Sequence, residues 1–361
     1  MPPARTGVAE YSAALLPALK ELCEVRMNAS SADVCLYHIG NNELHRFIYR
    51  TAFERPGAVV LHDAVLHHFF LGSLTRDEYV AEFAYNYGEW SRGLAAQLWE
   101  NRARSAQDPL YFNYGMLRRI AETAKVVIVH NPAAARRIRE HAPEADIAEI
   151  PHLYAPPALP PYAAAARWRE RHGIAPGTYL FGVFGHLRES KRLASVLAAF
   201  ERVRDSGRDT ALLVAGDFVS RDLERALLQA LGRPGVIRQP HAPEAEFWLM
   251  AMAVDACVNL RYPAAGETSG IAIRMMGLGK PVIVTAGEET ERFPEPACLK
   301  VDCGLAEQAM LAEYMRVLTA APALGREIGL CAAGYIAANH DVRTVARRYF
   351  DLLCEYSHSS Q

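Results

Sequence analysis

Short, wholly apolar runs alternate along this chain with longer segments of helical periodicity, and this alternation restricts the possible folds more than any other feature. The apolar runs predict seven strands: Asp33–Ile39, Ala58–Asp63, Lys125–His130, Tyr179–Gly185, Ala211–Asp217, Asp255–Tyr262 and Pro281–Thr285. Most lack the in-and-out alternation of a half-exposed strand, which is typical where helices cover both faces of a parallel sheet. The pattern therefore predicts an α/β fold with doubly wound parallel sheets.

The segments between these strands, and one near the end of the chain, predict helices. They are Val8–Leu22, Glu43–Phe53, a long helix around Glu78–Arg104, Pro132–His141, Lys191–Arg204, Arg221–Leu231, Glu244–Met252 and Val342–Leu353.

A proline-rich stretch divides the series into two parts. Residues Pro151–Tyr162 contain five prolines, and proline can continue neither a helix nor a central strand. A new series of strand, loop and helix begins near Tyr179. We therefore predict an N-terminal domain of residues 1–155, a C-terminal domain of residues 156–340 and a final helix, residues 341–361, that can cross back to the N-terminal domain.

Composition excludes several classes of protein. The 361 residues are 51% hydrophobic and carry a formal net charge of −2, without the basic excess of a dedicated nucleic-acid binder. The seven cysteines include no C-x-x-C pair, so they predict neither a disulfide framework nor a zinc site. The N-terminus lacks the apolar core of a signal peptide, and the apolar stretches fall far short of the ~20 residues of a membrane span. We expect a cytoplasmic protein that binds no nucleic acid and has at most peripheral contact with the inner face of the membrane.

Several catalytic motifs are absent from the sequence. It contains no G-x-G-x-x-G after a strand, no P-loop, no H-E-x-x-H and no G-x-S-x-G, so dehydrogenases, P-loop ATPases, zinc proteases and α/β-hydrolases lose their main support. It also contains no D-x-D, which argues against a metal-dependent nucleotide-sugar site.

The loop after the predicted strand Tyr179–Gly185 combines a glycine with two cations. Gly185 ends the strand, and Lys191 and Arg192 stand where the next helix starts. Free amides, the helix dipole and two positive charges together favour a diphosphate at such a position. The alternative is that both side chains only extend into solvent at the helix start.

A second polar loop follows the predicted strand Asp255–Tyr262. Glu267 lies in it, and Thr268 or Ser269 can cap the next helix. Ligands of open α/β sheets bind beyond the carboxyl ends of strands, which is where Glu267 is expected. The alternative is a capping or solvated carboxylate.

These motifs, taken in order, resemble those of the retaining GT-B glycosyltransferases of family 4, also called glycosyltransferase group 1. The resemblance covers nearly the whole chain through Pro2–Val8, Ile39-Gly-Asn-Asn42, Leu61-His-Asp63, Gly185…Lys191 and Glu267…Gly279-Lys-Pro. It implies a GT-B fold: two Rossmann-like domains facing a cleft, with the acceptor on the N-terminal domain and the donor on the C-terminal one.

The resemblance also implies roles for individual residues. Catalysis is assigned to His62, Lys191 and Glu267. Donor binding is assigned to Gly7, Gly185, His186, Lys191, Arg192, Glu267, Thr268, Ser269, Gly270 and Arg274.

The sequence departs from the family pattern at two positions. His186 stands where the family usually has an arginine in the diphosphate loop. The second acid of the Glu-x7-Glu element, which binds the ribose in the family, is replaced by Met275 or Arg274, depending on the direction of counting. The contact to the ribose and the identity of the nucleotide are therefore open.

The function implied by the resemblance is transfer of a sugar, with retention of configuration, from a nucleotide-diphosphate sugar to a glycan, a lipid-linked molecule or a small molecule. A role in polysaccharide biosynthesis is expected, with no metal and no cofactor beyond the donor. The alternatives are a GT-B sugar phosphorylase, which tolerates loss of the ribose-binding acid, and an inactive GT-B protein that acts as a binding module.

One further expectation concerns the start of the N-terminal domain. Doubly wound folds begin with an apolar strand that leads into the glycine loop, yet here the loop Pro2–Gly7 follows the first methionine directly. We therefore expect this domain to lack its first strand. In the usual order 3-2-1-4-5 that strand is central, so its absence leaves the backbone groups of two neighbouring strands unpaired unless these strands close the gap.

Overall fold

The computed structural model describes residues 6–29 and 31–358, and these divide into two compact units. The first unit contains the chain up to residue 153, the short segment 263–268 and the chain from residue 340 onward. The second unit contains residues 154–262 and 269–339.

The strands of the described residues form two sheets. They are β1 Leu36–Ile39, β2 Ala58–Leu61, β3 Val126–Val129, β4 Ile147–Glu149, β5 Tyr179–Phe184, β6 Thr210–Ala215, β7 Val236–Gln239, β8 Ala256–Asn259, β9 Val282–Thr285 and β10 Leu299–Val301.

Helices connect and cover these strands. They are α1 Gly7–Lys20, α2 Arg46–Glu54, α3 His67–Ser73, α4 Arg76–Tyr87, α5 Arg92–Glu100, α6 Leu110–Asn113, α7 Arg118–Thr123, α8 Pro132–His141, α9 Tyr162–Arg171, α10 Leu193–Asp205, α11 Arg221–Leu231, α12 Glu244–Ala253, α13 Gly270–Gly277, α14 Glu307–Ala320, α15 Pro322–Asn339 and α16 Val342–His358.

The sheet of the first unit is parallel and follows chain order, β1-β2-β3-β4. No strand precedes β1 within residues 6–29 and 31–35. Of the two outcomes expected for a missing central strand, the structure shows the closed sheet, because β1, β2, β3 and β4 pair consecutively and β1 forms an edge of the sheet. The sheet is unbroken between its two edges.

The sheet of the second unit is also parallel, with the order β10-β9-β8-β5-β6-β7. The chain builds outward from β5 through β6 to β7, and then returns to the other side of β5 with β8. The strand order therefore reverses between β5 and β8. In open α/β sheets, ligands bind outside the carboxyl ends of the strands at this switch point.

Both faces of β5 are buried, which explains its continuous apolar sequence. Phe181 and Val183 pack into a core that includes Phe200 of α10, while Leu180 and Phe184 pack into the opposite core. That opposite core is formed in part by α12 and α13. The second unit is thus doubly wound, as predicted.

Each of the seven predicted strands is present, but one predicted helix is wrong. The long helix around Glu78–Arg104 is interrupted at Gly88, whose φ of +94° ends α4, and α5 begins only at Arg92. Strands β4, β7 and β10 were missed because most of their residues are only half-buried and so form no apolar run.

The last helix belongs to the first unit. α16 packs against α1, and the hydroxyls of Tyr11 and Tyr349 lie 3.0 Å apart. Across residues 6–29 and 31–358, no helix combines the length and the apolar character needed to cross a membrane.

Candidate functional site

In the second unit, a buried cation lies at the carboxyl end of β5. Lys191 is 6% exposed and ends a short 3₁₀ turn, Glu189–Lys191. Its ammonium group donates a hydrogen bond to the carbonyl oxygen of Phe184, the last residue of β5. Nζ also lies 3.5 Å from the point that a Cβ on Gly185 would occupy. The positive charge is therefore held against the glycine turn at the switch point.

Gly185 adopts a φ of +86°, and Gly216 approaches it from the end of β6. A Cβ on Gly216 would stand 2.1 Å from the carbonyl oxygen of Gly185, and Gly216 itself has a φ of +138°. Only glycine fits both the conformation and the contact. The turn after β5 thus depends on the absence of a side chain at Gly216, the residue that follows β6.

The start of α13 meets the same turn. Ser269 caps α13 by accepting a hydrogen bond from the backbone N–H of Ala272, at 3.3 Å. Its hydroxyl also accepts one from the side chain of Asn259, the last residue of β8, at 2.8 Å. Ile271, next to Gly270, lies 3.7 Å from the Cβ position of Gly185. The structure therefore brings together Gly185, Lys191, Ser269 and Gly270.

Arg192 is oriented toward a buried carboxylate. Its guanidinium binds Glu307 through Nη2 at 2.9 Å and Nε at 3.1 Å, and Glu307 is only 1% exposed. Arg192 has a φ of +56°, in the left-handed region, and α10 starts after it at Leu193. Arg192 thus forms a structural ion pair, a role that the sequence did not suggest.

Two residues are candidates for the position of the family's second acid, the cation Arg274 and the apolar Met275. Arg274 binds Glu244, and its guanidinium lies 4.4 Å from the ring centre of Phe247. Met275 is fully buried. Neither Arg274 nor Met275, the two residues that can stand for the family's second acid, supplies a carboxylate.

His186 is exposed beside the glycine turn. Its ring is parallel to that of His241, with an interplanar angle of 3° and 6.4 Å between the ring centres. It lies directly after Gly185, at the carboxyl edge of the sheet.

Glu267 lies in the segment 263–268, which belongs to the first unit. Its carboxylate accepts a hydrogen bond from the backbone N–H of Ala265, at 2.7 Å. Asn131 holds the segment by donating to the carbonyl oxygen of Gly266 at 2.9 Å and to the hydroxyl of Thr268 at 3.0 Å. Glu267 is thus fixed close to the start of α8.

Gly266 also packs closely on the loop that follows β2. It has a φ of +73°, and a Cβ on it would stand 2.6 Å from the Cβ of Ala64. Ala64 comes two residues after His62. The structure therefore brings the His62 loop and the Glu267 segment together within the first unit.

Two of the family-like motifs meet directly. The backbone N–H of Asn41 donates to the carboxylate of Asp63 at 2.7 Å, and the Asn41 side chain accepts from the backbone N–H of Phe69 at 2.8 Å. The loop after β1 is thus tied to the loop after β2.

Gly7 is the first residue of α1. Thr6 caps this helix through a hydrogen bond from the backbone N–H of Ala9, at 3.1 Å. A Cβ on Gly7 would meet no atom within 4 Å. Among the described residues, no packing contact therefore requires glycine here. Pro2–Arg5 of the same motif lie outside the described residues.

His62 lies between two other histidines that sequence reasoning missed. His38 Nδ1 is 3.0 Å from His62 Nε2, and His62 Nδ1 is 3.3 Å from His130 Nε2. Burial lowers the pKa of His38 to about 3 and that of His130 to about 4, and lowers the pKa of His62 well below its usual range. All three imidazoles are therefore neutral at pH 7.

A signal for these histidines was present in the sequence. His38, His62, His130 and His152 each lie at or just beyond the carboxyl end of one of the four successive strands β1 to β4. Because neighbouring parallel strands end at the same edge, four such histidines are expected to converge. Within the described residues, no group of three or more histidine, cysteine or acidic side chains is placed to hold a metal ion.

Comparison with known proteins gives relatives by structure only. No protein-family model matches the chain, and no curated protein matches its sequence significantly. Sucrose-phosphate synthase from Thermosynechococcus elongatus superimposes with a TM-score of 0.65 at 17% identity, covering 90% of this chain and 74% of that one.

Two further structures match over similar lengths. HepE from Anabaena, solved with UDP-glucose, has a TM-score of 0.59 at 16% identity and covers 89% of this chain and 99% of its own. WaaG, a glycosyltransferase involved in lipopolysaccharide biosynthesis, has a TM-score of 0.58 at 15% identity and covers 96% of both chains. Identities this low establish the fold alone. The fold is GT-B, and the fold expected from the sequence motifs is confirmed.

Proposed function

We propose that this chain is a retaining glycosyltransferase of the group 1 type, which transfers a sugar from a nucleotide-diphosphate sugar to a glycan, a lipid-linked molecule or a small molecule. The observation that carries the proposal is the buried ammonium of Lys191, held against the glycine turn where the strand order of the second unit reverses. A buried cation at a switch point suits an anionic ligand.

The second unit is proposed to bind the diphosphate. Lys191 supplies the charge, and the start of α13, at Ser269 and Gly270, supplies backbone N–H groups that favour phosphate oxygens. Arg192 is not part of this proposal, because its guanidinium is engaged by Glu307.

Glu267 is proposed to bind hydroxyls of the sugar. A carboxylate accepts hydrogen bonds from sugar hydroxyls, and Glu267 is already oriented by the backbone N–H of Ala265. The resemblance to family 4 supports this role, and the structural similarity to HepE, solved with UDP-glucose, supports a nucleotide-sugar donor.

The proposed reaction is a front-face displacement. The bond from the anomeric carbon to the diphosphate oxygen breaks while the acceptor oxygen bonds to the same face of that carbon. The acceptor proton passes to a phosphate oxygen of the leaving group. Lys191 stabilises the negative charge that develops on this group, and a preorganised charge of this kind is worth about 10²–10³ in rate.

A donor panel tests the proposal. The protein is incubated with UDP-, GDP-, ADP- and dTDP-sugars, and binding, release of nucleoside diphosphate and the anomeric configuration of the product are measured. We expect one nucleotide to raise the melting temperature and its sugar to be released with retention. An inverted product contradicts the retaining mechanism, and failure of every donor to bind contradicts the proposal.

The two alternatives predict different reactions. A sugar phosphorylase releases a sugar phosphate from a glycoside and free phosphate, without any nucleotide. A binding module binds a donor but releases no diphosphate with any acceptor.

A further inference from the structure

Three histidines of the first unit form one continuous hydrogen-bonded chain. It runs from His38 through His62 to His130, with nitrogen–nitrogen distances of 3.0 and 3.3 Å. It ends at the carbonyl oxygen of Ile150, which lies 2.9 Å from His130 Nδ1. The chain crosses the carboxyl ends of β1, β2 and β3 and reaches the residue that follows β4.

The direction of the hydrogen bonds in this chain of histidines follows from its end at Ile150. A carbonyl oxygen can only accept, so Nδ1 of His130 must carry the proton, and Nε2 of neutral His130 must be an acceptor. Nδ1 of His62 must then donate to it, which leaves Nε2 of His62 to accept from Nδ1 of His38. All three rings are thereby set as Nδ1–H tautomers, with a lone pair on Nε2 of His38 at the end opposite Ile150.

The neutral state that this logic requires is supported by the surroundings. Burial is the largest cause of the lowered pKa of each ring, and repulsion from neighbouring imidazoles adds to it at His38 and His62. No carboxylate of the described residues contributes to any of the three shifts. Among residues 6–29 and 31–358, the other titratable groups that face the three histidines are His45, His152, His340 and the tyrosine pair Tyr11 and Tyr349.

The rings are held in place by Tyr11 of α1. The centre of its ring lies 4.8 Å from that of His62 and 4.9 Å from that of His130. Its hydroxyl lies 3.0 Å from that of Tyr349 on α16, so the tyrosine ring is itself anchored. Rotation of His62 would have to displace this ring and break two hydrogen bonds.

We propose that His38, through Nε2, is the acceptor of a hydrogen bond from a sugar hydroxyl, and that His62 and His130 are positioning residues that keep His38 in the Nδ1–H tautomer. This rests on the proposed transferase function and changes the assignment made by resemblance. Both nitrogens of His62 are already used within the chain, so His62 acts on the substrate only through His38.

The tautomers can be read without any turnover. The protein labelled with ¹⁵N-histidine is examined by long-range ¹H–¹⁵N correlation at pH 7.5, with single His→Gln variants to assign the signals. We expect His38, His62 and His130 all to have a protonated Nδ1 and an unprotonated Nε2. An Nε2–H tautomer at His62 would overturn the proposal.

Substrate contact is tested in the same spectra with UDP-glucose as the probe. We expect the Nε2 signal of His38 to shift on addition of the probe. His141 at the far end of α8 is the matched control, because burial lowers its pKa as well, to about 4. An unchanged His38 signal while the probe binds elsewhere on the protein contradicts the proposal.

Kinetics separate positioning from direct contact. His38→Phe removes one accepted hydrogen bond, and we expect kcat/KM for the donor to fall about three- to tenfold. His130→Phe should cause a similar loss and convert the His62 tautomer. His130→Gln, which keeps one donor and one acceptor, should restore both.

The outcomes also distinguish this inference from the proposed function. Full activity of His38→Phe overturns the inference and leaves the transferase function intact. If no donor is ever turned over, the function fails, and the tautomers and the His38 shift still decide whether the chain of histidines presents an acceptor. His141→Gln should leave transfer and tautomers unchanged.

Discussion

The guanidinium of Arg192 donates three hydrogen bonds to the carboxylate of Glu307, 115 residues further along the chain, at nitrogen–oxygen distances of 2.9 to 3.1 Å. Removal of Arg192 would leave a carboxylate that is 1% exposed without its cation. Breaking a buried pair costs about 3–5 kcal/mol, and since Arg192 is itself partly exposed we expect about 2–3 kcal/mol for Arg192→Ala. Urea unfolding gives the free energy of unfolding.

The double variant Arg192→Met, Glu307→Met is the control for this pair, because it removes both charges and should recover most of the loss. Donor affinity should change little in either variant. A large drop in donor affinity of Arg192→Ala, with an unchanged free energy of unfolding, would show that Arg192 binds the donor instead.

Lys191→Met should lower kcat by about 10²-fold, because it deletes the preorganised charge at the leaving group. Lys280→Met is a matched control. Like Lys191, Lys280 donates hydrogen bonds from its ammonium group to backbone carbonyls, in this case those of Met252 and Val254. It stands before the amino end of β9, however, and so at the opposite ends of the parallel strands from Lys191. Initial rates with saturating donor compare the two, and equal rates would remove Lys191 from the mechanism.

Glu267→Gln should reduce transfer about 10- to 150-fold, since hydrogen bonds to charged groups are worth roughly 1.5–3 kcal/mol. Nucleoside diphosphate affinity should stay nearly constant, because the sugar and not the diphosphate is assigned to this carboxylate. Calorimetric titration with the diphosphate and a transfer assay make the comparison. Loss of diphosphate binding with retained sugar preference would show that Glu267 has another role.

Gly216→Ala should damage the diphosphate site through Gly185. Gly207→Ala is the control, because Gly207 also has a positive φ, of +80°, but has open space around it. Strain alone costs about 1 kcal/mol at each position, whereas the added Cβ on Gly216 would stand 2.1 Å from the Gly185 oxygen. We therefore expect weaker donor binding only for Gly216→Ala, measured by equilibrium titration.

Acid should destabilise the first unit before its carboxylates titrate. The unfolded chain binds protons at histidine below pH about 6.5, whereas folded His130 stays neutral down to about pH 4. The contribution of neutral His130 to stability is therefore fully present above pH 6.5 and is lost as the pH falls toward 4. At pH 5 the free energy of unfolding is lower by on the order of 2 kcal/mol from His130 alone. Unfolding free energies between pH 7 and 5 test this. His130→Gln should flatten the slope, and a flat wild-type curve would contradict the prediction.

The parts of the fold that could be predicted are those with a strong local signal. β5 was found because all six of its residues are buried and apolar. β4 was not, because its three residues are half-buried and carry no period. The helix break at Gly88 needs a positive φ, and a lone glycine in a helical pattern does not specify one.

The sequence predicted which loops carry the residues of the candidate site, but not which side chains pair with one another. The motifs located Lys191, Glu267 and His62 at loops next to strand ends. The burial of Lys191, and the pairing of Arg192 with Glu307, depend on residues distant in sequence. The histidines stand at successive strand ends in the sequence, but which of them bond to one another depends on the strand order β1-β2-β3, which local patterns do not contain.

The first unit is discontinuous in sequence, and this bears on how the protein is made. Its sheet and α1 emerge early from the ribosome, but Asn131 lacks its partners Gly266 and Thr268 until the chain has passed residue 268. Tyr11 lacks Tyr349 until almost the whole chain has been synthesised. The second unit is interrupted by only the six residues 263–268. Domains usually complete folding from the N-terminus onward during synthesis. Here the later-made unit can finish first, and the earlier one closes only when α16 arrives.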